Sequence, residues 1–534
     1  MSSPSRAVDR TPSERVDVCV IGGGVAGALV AHELSASGYD TVMLEAGERF
    51  ARDDRFERME TALRPGHSDL EVWNVGGDRD AFTSSGERFY PLNEKRVKGV
   101  GGTTLHWGGY TPRLHEKDFE MASRYGLADD WPISYEDLRP YYRRAERALG
   151  VAGDDDNPFL DREAPFPLPG FPPSDTDALF ASACAELGIA VHSLPQARNS
   201  EGYDARPQCE GYATCDPVCP IGAKYSGDVH VRKAESEGVR VIDRAPVQYL
   251  DHGRDPSTVE AAVYATPDGR THRQEARQFV VACGGVETPR LLLLSKSEAH
   301  PDGLANSSGM VGRCFFDHLY VNVTARVDDP GNPNPTGFST SQSQEFYDHD
   351  DPTPGSVLLT FQNNDPINLV ETALQGGYES VTDKLADAFV GDPWGDDLLE
   401  VLRSKQTPGR AKMTVTAAIE SLPERSSRVG LDTSRTDDHG NPVPDISWSL
   451  DDHAKRTLRR AEEIQRRILA ELDGEFVASN VDDPNPGGHH MGTTRMGADP
   501  AESVVDPRLR THDVSNLTIA ALALKAADHL RADL

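Results

Sequence analysis

The hydrophobic pattern opens with a short apolar run, VDVCVI at 16–21. A glycine-rich break follows, then an amphipathic stretch over 25–37 and a second apolar run, TVML at 41–44. Short apolar runs bounded by glycine and polar residues read as buried strands, and apolar residues spaced by three and four read as helix. The order predicts a βαβ unit. Further along, SVLLTFQ at 356–362 and AKMTVTAAIE at 411–420 read as strands, and 452–472 reads as an amphipathic helix. Residues 148–175, rich in Pro and Asp, and 327–355, rich in Asp, Pro, Gly and Ser, read as loops. The sequence has no internal repeat.

Between the first strand and the helix lies Gly22-Gly23-Gly24-Val25-Ala26-Gly27, a G-x-G-x-x-G turn. Gly22 permits the tight turn, Gly24 lets a pyrophosphate approach the backbone, and Gly27 lets helix and strand pack closely. The phosphates would rest on the helix N-terminus, where N–H groups and the helix dipole favour anions. Glu45 ends the second strand 18 residues after Gly27, placed to hydrogen-bond a ribose hydroxyl. A glycine-rich turn alone is a weak signal. Here strand, helix, second strand and acid stand in order, and together they point to a dinucleotide. The acid argues against a 2′-phosphate and leaves NAD or FAD, which spacing does not separate.

Composition narrows the class. A chain of 534 residues corresponds to three or four domain-sized units, which large α/β enzymes often braid together. With 37% hydrophobic and 26% charged residues it buries a sizeable core, and collagen-like or wholly disordered classes drop out. No run of 18 uncharged apolar residues occurs, so no direct membrane span is expected. The first 20 residues carry no apolar signal core and no twin arginine, and a cytoplasmic location is expected. The net charge of −31 argues against nucleic acid or an anionic membrane as partner. Of the basic residues 11 are lysine and 44 arginine. An acidic, arginine-preferring surface fits a halophilic protein whose self-repulsion is screened by salt; an ordinary acidic enzyme is the other reading.

The seven cysteines are odd in number and sparse, so a disulfide framework is not expected. Three of them nevertheless crowd into Cys209-x5-Cys215-x3-Cys219-Pro220, with Gly211, Pro217 and Gly222 alongside, as in a loop wrapped around something. Thiolates are the usual ligands of iron–sulfur clusters, and a proline after the last cysteine recurs in such loops. Three cysteines suit a three-iron cluster, one ligand per iron. Zinc fits less well, because it takes four ligands at closer spacing, and His230 lies eleven residues beyond Cys219. A set of reduced, partly buried structural thiols is the plainer alternative.

Longer motifs carry a resemblance. Residues 99–109 (GVGGTTLHWGG) look like the second flavin-contacting loop of the glucose–methanol–choline (GMC) oxidoreductases. Further matches follow in family order: Trp131 to Tyr135 with Tyr141 and Tyr142, Val280 to Arg290, Asn306 to His318, Leu422 through Asp432, and His489 to Met496. The resemblance spans about residues 16–534. It implies an α/β fold, α+β overall, with a Rossmann-like FAD-binding domain and a substrate domain built on an antiparallel sheet. The FAD-binding domain would be discontinuous, over 12–115, 222–325 and 480–534. The substrate domain would take 116–221 and 326–479, with the iron–sulfur loop at 209–219.

The resemblance also implies roles. The cofactor would be FAD, contacted by Gly101, Gly102, Thr103, His106 and Trp107, with Val247 on the adenine side and Ala282 and Gly284 in a turn lining the nucleotide. His489, three residues before Gly492-Thr493, matches the active-site histidine, and a histidine titrating near neutrality can accept an alcohol's proton. His106 matches a position that carries the flavin covalently in pyranose-oxidase-like relatives. Leu105 between Thr104 and His106 departs from that pattern, and a non-covalent contact stays open. Residues 215–223 resemble the iron–sulfur loop of bacterial sugar, gluconate and sorbitol dehydrogenases, which implies a 3Fe-4S cluster, a small subunit and a cytochrome electron acceptor. The activity implied is oxidation of a sugar, polyol or other alcohol. One departure stands out: Asn516-Leu517 runs directly into what resembles the final helix. The last strand, its turn and the second catalytic residue are expected to be missing, so a catalytically inert FAD-binding form is the alternative.

Overall fold

The two apolar runs near the start of the chain become neighbouring strands inside a seven-stranded sheet. Val16–Ile21 pairs in parallel with Thr41–Leu44 on one side and with the end of Thr271–Val281 on the other. Arg240–Ile242 extends the parallel run beyond Thr41–Leu44, and Leu517–Ile519 lies parallel to residues 279–281. The strands Val247–Asp251 and Ala261–Ala265 complete the sheet as an antiparallel extension of Thr271–Val281. The computed structural model describes residues 9–64, 68–328, 339–349, 355–362, 411–519 and 522–534.

Successive strand residues face opposite sides, and here both sides are covered. Cys19 and Ile21 pack with Val42, Leu44, Phe279 and Val281 on one face, Val18 and Val20 with Met43 and Val280 on the other. Double burial is why these strands read as continuous apolar runs with no alternation. The helix Val25–Ser35 covers the second face between helices Asp228–Ser236 and Ala523–Asp533, through Ala28, Ala31, Leu34, Val231, Ala234 and Ala527.

A second seven-stranded sheet is antiparallel. From one edge it runs Glu475–Ser479, Leu319–Val327, Ala411–Ile419, Val357–Phe361, Ser341–Phe346 and His192–Ser193, with Asn485–Pro486 also paired to Leu319–Val327. The helix Asp452–Ala470 lies across it. Asp451 caps that helix by accepting from the Ala454 amide at 2.7 Å, and Ala454, Leu458, Ala461, Ile464 and Ile468 form its buried stripe. Gln465 sits in the same stripe, fully buried, and its amide nitrogen donates to the Val321 and Val415 carbonyls at 2.8 and 2.7 Å.

Three expectations change. The strand Ser341–Phe346 lies inside the stretch read as a loop, because SQSQEF shows no apolar alternation. Its Ser341 to Gln344 are buried all the same, with Ser341 bonded to Asp177 and Gln344 to His115; the rest of that stretch is described only at 327–328, 339–349 and 355. The last strand, expected to be missing, is present as Leu517–Ile519. Accordingly the final helix starts at Ala523 and not near 518.

Replacing Gln465 by Leu keeps the volume but removes both bonds to the sheet. The variant should be destabilised by about 1–3 kcal/mol in urea unfolding. A difference near zero would mean the helix is held by its apolar stripe alone.

Candidate functional site

Parallel strands that end side by side leave a crevice beyond their carboxyl ends. Here that crevice is a cleft of about 1030 Å³. It brings together Gly22, Gly24, Glu45, Gly102, Thr103, Val247, Ala282 and Gly284, and it runs on to His490 and Met491. Of the other expected residues, Gly27, Gly101, His106, Trp107 and His489 lie outside its lining.

Glycine is required where backbones meet. A Cβ on Gly22, whose φ is +105°, would stand 2.5 Å from the Ala282 carbonyl oxygen. One on Gly27 would stand 2.0 Å from the Gly22 oxygen, so Gly27 serves helix–strand contact and does not itself line the cleft. The second glycine loop is tied to the first, the Gly101 amide donating to the Gly23 carbonyl at 2.9 Å. A Cβ on Gly102 would come within 2.8 Å of Gly24 Cα. At Gly24 the helix starts with no side-chain cap, so its first N–H groups are left for an anion.

Glu45 is buried at the end of its strand. Its carboxylate accepts from the Gly23 amide at 2.6 Å and from the Gly47 amide at 2.8 Å. Burial pushes its pKa up to about 7, against the pull of those two amides. Beside it lies a charge cluster that the sequence reading missed. Lys98 Nζ is 3.2 Å from Glu287, Arg96 pairs with the same carboxylate, and Arg290 reaches its other oxygen at 3.1 Å. Burial would raise Glu287, but these three cations hold it well below the usual carboxylate range. The signal was available, since Lys98 precedes the Gly99 loop and Glu287 and Arg290 lie in the Val280 to Arg290 motif.

The histidine loop is built by two antiparallel segments. Asn485 and Pro486 face Tyr320 and Leu319, the Gly487 amide donates to the His318 carbonyl at 2.8 Å, and Met491 bridges Phe316. Between them the buried Asp317 carboxylate accepts from the Gly488 and His489 amides, each at 2.8 Å, and from the Tyr90 hydroxyl at 2.6 Å. This carboxylate fixes where the loop turns. His489 and His490 then differ. The His490 ring packs between Tyr90 and Phe315, and burial lowers its pKa to about 4. The His489 ring opens to solvent although protein encloses its other sides. That enclosure lowers its pKa, Asp317 opposes the shift and Lys95 adds to it. His489 Nδ1 is 3.0 Å from His318 Nδ1, which leaves Nε2 as the nitrogen for proton transfer.

His106 follows a 3₁₀ turn at Gly102–Leu105, and burial, with Lys224 and Lys95, lowers it to about 4. Trp107 donates from its indole to the Tyr225 carbonyl at 2.8 Å. The cysteine loop packs behind them: Lys224 Nζ bonds the carbonyls of Leu105, Trp107 and Cys215. Cys215 and Cys219 are buried, Cys209 is half-buried, and all are free thiols. Among the described residues no group of three or more His, Cys, Asp or Glu is placed to hold a metal ion. The expected ligation by Cys209, Cys215 and Cys219 is therefore not assembled here. His230 is engaged elsewhere, 2.9 Å from the Tyr225 hydroxyl. Among the described residues no helix is long and apolar enough to cross a membrane.

Comparison with known proteins agrees over nearly the whole chain. The GMC oxidoreductase family models match residues 16–320 and 423–524. The fructose dehydrogenase large subunit of Gluconobacter japonicus is 31% identical, over 97% of this chain and 98% of that protein. The 2-methyl-1,2-propanediol dehydrogenase of Mycolicibacterium austroafricanum is 29% identical, over 97% and 96%. Among solved structures, pyridoxine 4-oxidase from Mesorbium loti aligns with a TM-score of 0.62 at 18% identity, over 97% of this chain and 99% of that one. Formate oxidase of Aspergillus oryzae RIB40 aligns at 0.64 and 16%, over 98% and 99%.

Glu45 gives the cleft a pH signature. Its folded pKa of about 7 lies above the ordinary 4.5, so the unfolded chain ionises first. Its contribution to stability is complete below pH 4.5 and is lost as pH rises through 7, up to about 3 kcal/mol. Glu45→Gln should remove that component, so the urea stability of the variant relative to the parent rises between pH 5 and 8. A difference that stays flat with pH would show Glu45 ionised throughout.

Proposed function

The chain belongs to the GMC oxidoreductase family, and from that premise we propose that it is an FAD-dependent dehydrogenase oxidising a CH–OH group of a sugar, polyol or other alcohol. The observation that carries this is one continuous cleft running from Gly22 and Glu45 to His490 and Met491, next to the open ring of His489. The residues present fit the cofactor. Gly22, Gly24 and the uncapped first N–H groups of the Val25–Ser35 helix would receive the pyrophosphate, and Glu45 the ribose. Val247 would meet the adenine side, Ala282 and Gly284 would line the nucleotide, and Gly102 and Thr103, with Gly101 and Trp107 just outside the cleft lining, would form the segment towards the flavin. Bound FAD supplies the acceptor for the hydride that leaves the carbon.

His489 takes the hydroxyl proton at Nε2. Its lowered pKa keeps the ring unprotonated at neutral pH, the form a general base needs. His106 is the candidate for a covalent flavin bond, because burial keeps its ring neutral and nucleophilic. In that case the flavin stays with the protein in an acid precipitate. The fructose dehydrogenase relative makes D-fructose the first substrate to try, and the propanediol dehydrogenase makes small diols the second.

Cys209, Cys215 and Cys219 would ligate a three-iron cluster that passes electrons to a small subunit and a cytochrome. Their spacing supports this, as does the placing of Arg198 and Lys224, which offset the burial that pushes the Cys215 thiol up. A relative described as a large subunit supports the partner. The domain division at 12–115, 222–325 and 480–534 against 116–221 and 326–479, the cytoplasmic location, and salt adaptation of the acidic surface belong to the same proposal. The inert alternative is favoured by the sequence, which passes from Asn516-Leu517 to the final helix with no further turn motif and no second catalytic residue.

Anaerobic bleaching of bound flavin by D-fructose and a panel of alcohols separates these readings. His489→Ala should slow bleaching about 10²–10⁴-fold while flavin content stays unchanged. A variant that bleaches at the parent rate removes His489 from its role. Flavin that no alcohol bleaches in the parent establishes the inert form. Separately, the purified protein should contain about three irons per chain, lost in Cys215→Ser; an iron-free parent leaves the three cysteines as structural thiols.

A further inference from the structure

His318 has no role in the account so far, yet its ring is the one bonded to His489. The two Nδ1 atoms are 3.0 Å apart, with ring centroids 5.1 Å apart and planes at 75°. The backbone sets this pair. The antiparallel run of 316–320 against 485–491 places the two residues opposite one another, and Gly487 leaves room for the ring, since a Cβ there would stand 3.2 Å from His489 Nδ1.

A hydrogen bond between two ring nitrogens needs one N–H and one lone pair, so only two neutral arrangements exist. If His318 donates, His489 carries its proton on Nε2 and has no lone pair there for a substrate. If His489 donates, Nε2 is free to accept. Once His489 gains a proton at Nε2 it must donate from Nδ1, so the second arrangement alone continues into the charged state.

We propose that His318 is a positioning residue for His489, accepting its Nδ1–H, thereby fixing the tautomer with a basic Nε2 and stabilising the imidazolium formed when the substrate hydroxyl gives up its proton. The inference rests on the reading of His489 as the base. No proton is lost or gained overall: one moves from hydroxyl to Nε2, and the Nδ1 proton stays in place. The surrounding charges suit this. Asp317 favours a cation at His489, Lys95 opposes one, and Glu420 lies towards His318. The neighbouring titratable rings are Tyr320, 6.2 Å from His489, and His490, which is half-buried and low in pKa. Burial, and next His489 itself, bring His318 down to about 4, so it stays neutral and keeps its accepting lone pair.

The test compares His318→Asn, whose side-chain oxygen can accept from Nδ1–H, with His318→Leu, which cannot. ¹⁵N NMR of the histidine-labelled, flavin-loaded full chain, with His489→Gln identifying the signal, reads tautomer and pKa without any substrate. The parent should show His489 protonated at Nδ1. His318→Leu should mix the tautomers and drop the pKa of His489 by about one pH unit, and His318→Asn should restore both. With D-fructose as probe, the pH profile of flavin bleaching should shift down by the same amount in His318→Leu, with the plateau rate reduced 10- to 100-fold and rescued in His318→Asn. An Nε2–H tautomer in the parent, or a His318→Leu variant with unchanged tautomer and pKa, overturns the proposal. Should no alcohol bleach the flavin, the role of His489 as base fails, while the NMR result still decides the pairing.

Discussion

Backbone meets backbone at the Gly22 turn at distances that no side chain tolerates, and the rest of the site is arranged around that contact. Gly22 touches the Ala282 carbonyl, Gly27 touches Gly22, and Gly102 leans on Gly24. These approaches follow from the sheet. Val16–Ile21 and Thr271–Val281 end in register, Ile21 beside Val281, so the turns leaving them must pass each other at once. A methyl group at any of these points would push the turns apart and narrow the cleft between them. The same crowding puts the second glycine loop within hydrogen-bond reach of the first. The cleft is a product of packing in the two sheet ends, with buried charge around Glu287 stiffening one wall.

The second sheet contributes the other half. Its strand Leu319–Val327 begins directly after Asp317 and His318, and Asn485–Pro486 returns alongside it. One carboxylate, Asp317, then accepts from two backbone amides and a tyrosine hydroxyl, so the histidine loop is tied to the edge of that sheet. The cleft at the end of the parallel sheet and a histidine pair from the antiparallel one thus meet at His490 and Met491.

Much of this could be read from the residues. The first two strands match their apolar runs to the residue, because every position except Asp17 is buried. Gly22, Gly24 and Glu45 converge as their spacing implies, since the βαβ unit is local in the chain, and Ala282 and Gly284 join them where the family resemblance, not spacing, puts them. What was illegible is long-range or polar. SQSQEF carries no apolar alternation, and its burial depends on Asp177 and His115, far away in sequence. His318 and His489 are 171 residues apart, and no periodicity announces their contact. The last strand was misjudged because its three residues read equally well as the start of a helix.

The central claim is that the cleft between the glycine loops holds FAD. The most direct measurement is the absorption spectrum of the protein as purified, with the released or retained cofactor identified by mass. A cleft that holds FAD gives flavin bands at about one FAD per chain. A colourless, folded protein, or one that carries NAD in place of FAD, would contradict it.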